Sequence, residues 1–444
     1  MNNSVTYTVI PGGSLHGRLR VPGDKSISHR CIMLGSLAEG VTKVQGFLEG
    51  EDSLATLQAF RAMGVQIEGP RQGRVTIHGV GLHGLTAPRE PLYLGNSGTS
   101  MRLLSGLLAG QKFAVQLSGD ESLSRRPMRR VTAPLATMGA HIEASPIGTA
   151  PLCIHGVGNL KGICYDMPVA SAQVKSCLLL AGLYASGRTC VSEPAPTRDH
   201  TERMLAGFGY PLVRSGNTVC IEGGGRLLAS ATDVPADISS AAFFMVGASI
   251  AAGSDITLEH VGINPTRTGI INILRLMNAD IELLNPREAG GEPVADIRVR
   301  ASRLRGIRIP EDQVPLAIDE FPALFIAAAC AEGNTVLTGA EELRVKESDR
   351  IQVMAEGLQR LGITAQATPG GMVIEGGKLG QGVIESHGDH RIAMAFAMAG
   401  LCADGPITIH DCANVNTSFP DFAGLARRAG LGVISGSGGG AING

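Results

Sequence analysis

The chain contains no tryptophan and few other aromatic residues, 11 Phe and 5 Tyr in 444. So sparse a set offers no base-stacking platform for nucleic acid. Charge of one sign is also lacking: 38 Lys and Arg stand against 40 Asp and Glu, a formal net charge of −2. Such a balance exerts no net pull on nucleic acid or on an anionic membrane. No apolar run reaches the ~20 residues of a spanning helix; the longest, such as Ala241 to Ala252 and Ile392 to Ala403, fall well short. The opening Met1-Asn2-Asn3-Ser4-Val5-Thr6-Tyr7 lacks the basic region and apolar core of a secretory signal. Nine cysteines occur without any C-x-x-C pair. An odd count with scattered spacing argues against a disulfide framework or a cysteine zinc site. What is left is the expectation of a soluble, globular α/β protein of a reducing, cytoplasmic compartment, long enough for about two or three domains.

Glycine, by contrast, is plentiful. There are 60, about double the usual ~7%, and they are spread along the chain. Only Ser435-Gly436-Ser437-Gly438-Gly439-Gly440 reads as a fraying tail. Six apolar, alanine-rich runs each begin at a small or acidic residue and end at a glycine: Ser26 to Gly40, Asn96 to Gly110, Ser171 to Gly187, Asp237 to Gly253, Asp319 to Gly333 and Asp389 to Gly405. Asn, Ser and Asp suit a helix N-cap, and glycine suits the left-handed C-terminal end. Each run reads as one helix, and its scarcity of charge buries it on most sides. A short β-rich run follows each, such as Phe113 to Leu117 or Ile407 to Ile409. Then comes a more amphipathic helix closed by a recurring pair: Met63-Gly64, Met138-Gly139, Phe208-Gly209, Met277-Asn278, Leu361-Gly362 and Ala429-Gly430. Six β-α-β-α units at a spacing of roughly 70 residues exceed the period of a solenoid, so each is a small α/β module. Three modules make a lobe. Asp233-Val234-Pro235-Ala236 is the linker candidate, with Val21-Pro22-Gly23 as a second crossing.

Cations gather where these helices begin. Lys25, Lys175 and Lys346 are three of only seven lysines, and arginines join them at Arg30, Arg102, Arg125, Arg126, Arg129, Arg130, Arg198, Arg344, Arg350 and Arg391. Pro127 is expected in a first helical turn. A helix N-terminus is already partly positive, so cations there cost stability unless an anion is to be held. The set points to substrates with several negative groups. Acidic residues lie among them: Asp319-Glu320 opens the fifth buried helix and Glu347 adjoins Lys346. A carboxylate in such a pocket can act as a general base or acid. An N-cap would equally explain an Asp at 319.

Other motifs fail. Gly23-Asp24-Lys25-Ser26 ends like a phosphate-binding P-loop, but the required earlier glycine is replaced by Arg18. His387 and His390 are three apart, without further His or Cys clustered beside them. No G-x-S-x-G elbow occurs.

Several segments resemble one family in detail. They are Val21-Pro22-Gly23-Asp24-Lys25-Ser26-Ile27-Ser28-His29-Arg30, Gly95-Asn96-Ser97-Gly98-Thr99, Ser124-Arg125-Arg126-Pro127-Met128, Ser171-Ala172-Gln173-Val174-Lys175, Thr197-Arg198-Asp199-His200-Thr201-Glu202, Arg344-Val345-Lys346-Glu347-Ser348-Asp349-Arg350 and Asp389-His390-Arg391-Ile392-Ala393-Met394. The chain resembles the 5-enolpyruvylshikimate-3-phosphate synthases from about residue 12 to about 430, closest to the bacterial class that includes glyphosate-tolerant members. The resemblance implies an α/β, two-lobed fold of six βαβαββ units, three per lobe, with helix N-termini facing the cleft between lobes. It returns the first ~20 residues to the C-terminal lobe, dividing the chain into 1–21 plus 236–444 and 22–235. It implies attack of the 5-hydroxyl of shikimate 3-phosphate on C2 of phosphoenolpyruvate, protonation of C3, and loss of phosphate.

By the same resemblance, Ser26, Arg30, Ser171, Ala172, Gln173 and Arg198 take the shikimate 3-phosphate side, with Lys346 reaching it. Lys25, Arg126, Arg350 and Arg391 clamp phosphoenolpyruvate, with Asn96 and Gly98 beside it. Asp319 is similar to the acceptor of the hydroxyl proton, Glu347 to the group handling the C3 proton, and His390 is a neighbour. No metal, no cofactor and a monomer are implied. A lysine that some members carry near the last unit is missing from Asn416-Thr417-Ser418-Phe419-Pro420. The sister transferase acting on UDP-N-acetylglucosamine uses a loop cysteine, and none lies between Cys31 and Cys153. A non-catalytic binder of phosphorylated metabolites would need the anion sites but not Asp319, Lys346 and Glu347.

Overall fold

The computed structural model describes residues 5–437. Six long apolar helices appear where the sequence places them: Lys25–Leu37, Gly98–Ala109, Ala172–Gly182, Ile238–Ile250, Phe321–Ala329 and His390–Ala399. Five begin with a side-chain cap, in which Asp24, Ser97, Ser171, Asp237 and Asp389 accept a backbone N–H of the first turn. Each such cap is worth ~1 kcal/mol. The cap falls on Asp24 and Ser97, not on the expected Ser26 and Asn96. At the other end the helices stop earlier than the glycine punctuation predicts. Of the six closing glycines only Gly110 is a C-cap, the last helix being capped by Gly400 instead of Gly405, while Gly40 already lies in the strand Ala38–Gln45. Gly187, Gly253 and Gly333 have positive φ and precede the following strand instead, and Gly40 has positive φ within its strand.

The six amphipathic helices are Glu51–Ala62, Arg129–Thr137, His200–Gly207, Gly269–Leu276, Arg350–Arg360 and Phe422–Ala429. Each is closed by the recurring pair, whose second residue has φ between +73° and +120°. Asn278 replaces glycine in one copy because Asn tolerates the left-handed region better than other L-residues. Pro127 lies ahead of the helix at Arg129 rather than in its first turn; the helix carries Pro134 instead.

Each repeat closes into a small sheet of one pattern. The strand after the long helix pairs antiparallel with the last strand of the repeat, which pairs with the middle one. A strand outside this trio pairs parallel at the near edge, as Leu92–Tyr93 does with Ala114–Ser118. Three repeats borrow strands from distant sequence. Leu227–Leu228 and Ala231–Asp233 run parallel to Ala38–Gln45. His16–Leu19 runs parallel to Asp255–Gly262. Val5–Val9 lies between Ile407–His410 and Val433–Ser437, the place held elsewhere by a repeat's own last strand. Ser435 to Ser437 are therefore strand residues and not fraying tail; Gly438 to Gly440 lie outside the described residues.

The chain divides into two compact units, residues 1–22 with 236–287 and 293–444, and residues 23–235 with 288–292. Each holds three repeats and its own core. In the first, every residue of Phe321–Ala329 and of His390–Ala399 is buried, as is Ile238 to Ser249. In the second, the core is built from Lys25–Leu37, Gly98–Ala109 and Ala172–Gly182. Among the described residues no helix is long and apolar enough to cross a membrane.

The cysteine expectation needs correction. Cys190 and Cys220 are joined by a disulfide. They sit directly opposite in the antiparallel pair Arg188–Ser192 and Thr218–Glu222, with Cα atoms 4.1 Å apart. Strand register, invisible in a 30-residue sequence separation, brings them together.

Candidate active site

Within residues 23–235, the first turns of the three long helices are tied to one another by polar side chains. Arg30 is 4% exposed. Its guanidinium donates to the Ser26 carbonyl at 2.8 Å, to Ser176 Oγ at 2.8 Å and to Thr201 Oγ1 at 2.7 Å, linking the first and third long helices. Burial draws its pKa down to about 10, with the charge of Arg198 adding to the effect and Glu202 and Asp24 opposing it. The group is still a cation at neutral pH, and a neighbouring like charge favours any anion placed between them. Lys25 Nζ is 3.1 Å from Asp52 Oδ2.

His29 bonds Thr56, Thr56 bonds Ser100 and Ser100 bonds Ser97, at 2.8, 2.6 and 2.7 Å. This chain joins the first helix to the N-cap of the second. Burial, reinforced by Lys25 and Arg30, holds His29 well below the usual histidine range, so its imidazole is neutral.

Asn96 orients Arg126. Its Oδ1 accepts from Arg126 Nη2 at 2.6 Å, while its Nδ2 donates to Asp120 Oδ2 at 2.7 Å. Gly98 follows the cap Ser97, and a Cβ there would lie 3.1 Å from Arg126 Nη1 and 3.3 Å from Arg102 Nη1. Glycine at this position leaves both guanidiniums undisturbed. Gln173 accepts from Arg102 and donates to Thr99 Oγ1 at 3.1 Å. Ser171 is committed as a cap and Ala172 opens its helix. Arg198 is half-buried, directly before the N-cap Asp199.

Two grouped cations leave the anion-binding set. Lys175 is sealed against Glu193 and Glu202 at 3.1 and 2.8 Å, with its side chain 1% exposed. Arg125 is exposed and paired with Glu121.

In the other unit the candidates converge on Asp319. The N-cap of Phe321–Ala329 is Glu320, which makes no side-chain cap bond, so Asp319 is not a cap. Its carboxylate lies 3.6 Å from both Lys346 Nζ and Arg350 Nη1, and its carbonyl accepts from Arg391 Nη1 at 2.9 Å. Arg350 is 1% exposed. It binds Asp389 at 2.8 Å and Glu347 at 2.6 Å. Burial alone would lower its pKa, but Asp389, Glu347 and Asp319 outweigh that and raise it. Asp389 also caps its own helix at the Arg391 N–H, 3.0 Å away, and accepts from Ser348 at 3.0 Å.

Asp319, Lys346, Glu347, Arg350 and Arg391 are thus one cluster, with His390 on the first turn beside it. Sequence reasoning left out Asp389, Asp52 and Asp120, the carboxylates that hold the cations in place. It saw the Arg102 charge but not its grip on Gln173. Their signal was the recurrence of acids beside cations at helix starts.

Known proteins resemble this chain along nearly its whole length. The sequence profile described as EPSP synthase (3-phosphoshikimate 1-carboxyvinyltransferase) matches residues 9–425. A protein of Methylococcus capsulatus named 3-phosphoshikimate 1-carboxyvinyltransferase is 71% identical over 432 residues, covering 97% of this chain and 99% of its own. One of the same name from Nitrosococcus oceani is 72% identical over 434 residues, covering 98% of each. A solved EPSP synthase from Acinetobacter baumannii superposes with a TM-score of 0.88 at 62% identity, covering 97% of this chain and 100% of that one. The chain belongs to the EPSP synthase family, the 3-phosphoshikimate 1-carboxyvinyltransferases.

Proposed function

We propose that the two clusters divide the family's reaction, in which the 5-hydroxyl of shikimate 3-phosphate attacks C2 of phosphoenolpyruvate, C3 takes up a proton, and the tetrahedral adduct then gives up a C3 proton as it expels phosphate, restoring the double bond. Ser26, Arg30, Ser171, Ala172, Gln173 and Arg198 receive shikimate 3-phosphate, joined by Lys346. Lys25, Arg126, Arg350 and Arg391 receive phosphoenolpyruvate, with Asn96 and Gly98 framing Arg126. Two phosphates and two carboxylates repel one another, and prepositioned cations offset that repulsion. Planar guanidinium forks match both groups. Catalysis is then largely positioning and electrostatic stabilisation, in which one lost contact costs ~3 kcal/mol.

Asp319 carries this reading. The Asp319 carboxylate, with Lys346 and Arg350 each 3.6 Å away, is suited to accept the hydroxyl proton. Glu347 delivers the proton to C3. The chain is read as a cytoplasmic monomer.

Phosphate release tests the reaction. The protein is mixed with phosphoenolpyruvate and either shikimate 3-phosphate or UDP-N-acetylglucosamine. Release with the first acceptor alone is expected. Release only with the second, or with neither, overturns the assignment. Light scattering at the monomer mass tests the assembly state.

A further inference from the structure

One cluster lies outside every residue assigned to the reaction. The strands His141–Glu143 and Leu152–His155 pair antiparallel, with His141 opposite His155 and Glu143 opposite Cys153. Side chains alternate along a strand, so these four share one face, while Leu152 and Ile154 are buried on the other. The two imidazoles stack with centroids 4.5 Å apart and planes 20° from parallel. Glu143 Oε1 is 3.0 Å from His155 Nε2 and 3.9 Å from His141 Nε2. Cys153, a free thiol, has its Sγ 3.7 Å from the same His155 nitrogen.

We propose that His141, Glu143 and His155 form a surface site for one divalent transition-metal ion of the Zn2+ class, with Cys153 within reach as a fourth donor. One ligand atom from each of the three lies within 4.8 Å of the others, and among the described residues no other such group occurs. Donors around a tetrahedral ion at ~2.0–2.3 Å stand about 3.3–3.8 Å apart, so only small side-chain rotations are needed. The donors are free to make them: His141, Glu143 and His155 are 64%, 63% and 38% exposed. Imidazole and thiolate select zinc, nickel, cobalt or copper over magnesium and calcium.

The plainer account is a cross-strand ion pair. Glu68 with His78 at 2.9 Å and Glu385 with His410 at 2.8 Å are such pairs, each with a single imidazole. That account explains Glu143 with His155 at 3.0 Å and leaves the second imidazole only a long 3.9 Å contact. A bound ion uses both, displacing any protons on the imidazoles and the thiol to solvent. Since His141–Glu143 is the outer strand of its sheet, the ion would also clamp that edge to its neighbour.

Isothermal titration of the full chain with ZnCl2, and absorption spectra with CoCl2, test the site. One ion per chain is expected, with tetrahedral Co2+ bands in the visible and a thiolate charge-transfer band in the near ultraviolet. His141→Ala and His155→Ala should each weaken binding at least ~10-fold, and Glu143→Gln less, while phosphate release by the metal-free variants stays at the parent rate. Cys153→Ser should remove the near-ultraviolet band and keep the ion. No saturable binding at micromolar Zn2+, or binding unaltered in the His141→Ala/His155→Ala double variant, overturns the site. An unchanged near-ultraviolet spectrum in Cys153→Ser overturns the fourth donor.

Discussion

The Asp319 carboxylate and the Lys346 ammonium face each other at 3.6 Å, close enough to attract and too far to be locked in a tight hydrogen bond. Lys346 and Arg350, each 3.6 Å from it, put this carboxylate in a cationic pocket suited to a general base. Asp319→Ala is therefore expected to bind both substrates and to lose turnover, with kcat falling ~100-fold or more. Calorimetric binding beside steady-state phosphate release checks the split. Near-parental turnover would reduce Asp319 to a structural residue.

Gly98 predicts a second outcome. A methyl group there would stand 3.1 Å from Arg126 Nη1 and 3.3 Å from Arg102 Nη1. The parent enzyme should be sensitive to glyphosate, a phosphonate placed by the family resemblance in the phosphoenolpyruvate pocket. Gly98→Ala should raise the glyphosate inhibition constant more than the KM for phosphoenolpyruvate. Equal inhibition of parent and variant would locate the gate elsewhere.

Asn96 holds Arg126 at 2.6 Å without being charged itself. Asn96→Ala should leave that guanidinium poorly aimed and raise the KM for phosphoenolpyruvate roughly 10-fold, the equivalent of one lost hydrogen bond. The KM for shikimate 3-phosphate should change far less. Initial rates with each substrate varied in turn measure this.

Asp389 serves two structures at once, the Arg350 ion pair at 2.8 Å and the cap of its own helix. Asp389→Ala leaves a buried cation short of its counter-charge, which costs ~3–5 kcal/mol. Urea unfolding should show this as a lower midpoint with an unchanged slope. Asp389→Asn, which keeps the capping oxygen, should fall between the two.

His29 gives the molecule a pH dependence. Its imidazole is kept neutral when folded and takes a proton once unfolded. Its contribution is complete above the unfolded pKa near ~6.5 and is lost as pH falls below it, by up to ~1.4 kcal/mol per pH unit. Melting temperature measured from pH 7.5 down to 5 should decline, and His29→Gln should flatten that decline. A parallel decline in the variant would assign the effect to other groups.

The repeats were legible because they are punctuated. Six Gly or Asn residues after amphipathic helices must adopt positive φ, and no other residue does so as cheaply, so the positions mark themselves. The cations at helix starts were legible because they oppose the helix dipole. The carboxylates behind them were harder to read. Asp389 looks in sequence like any N-cap, and only its distance to Arg350 reveals its second task. Lys175 shows the reverse case: a cation in the expected place whose partners, Glu193 and Glu202, lie 18 and 27 positions away and enclose it. Cys190 and Cys220 meet through strand register, which composition does not encode.

The strand Val5–Val9 sits between Ile407–His410 and Val433–Ser437. Ribosomal synthesis at ~5–20 residues per second delivers those flanking strands tens of seconds after it. Residues 23–235 are already a nearly continuous stretch and can acquire their tertiary structure while the rest is being made. The opening strand must instead wait, unpaired, until the last repeat emerges. A ribosome stalled before residue 407 would leave its edges exposed, and such an arrested product should be the form that chaperones retain and that aggregates first.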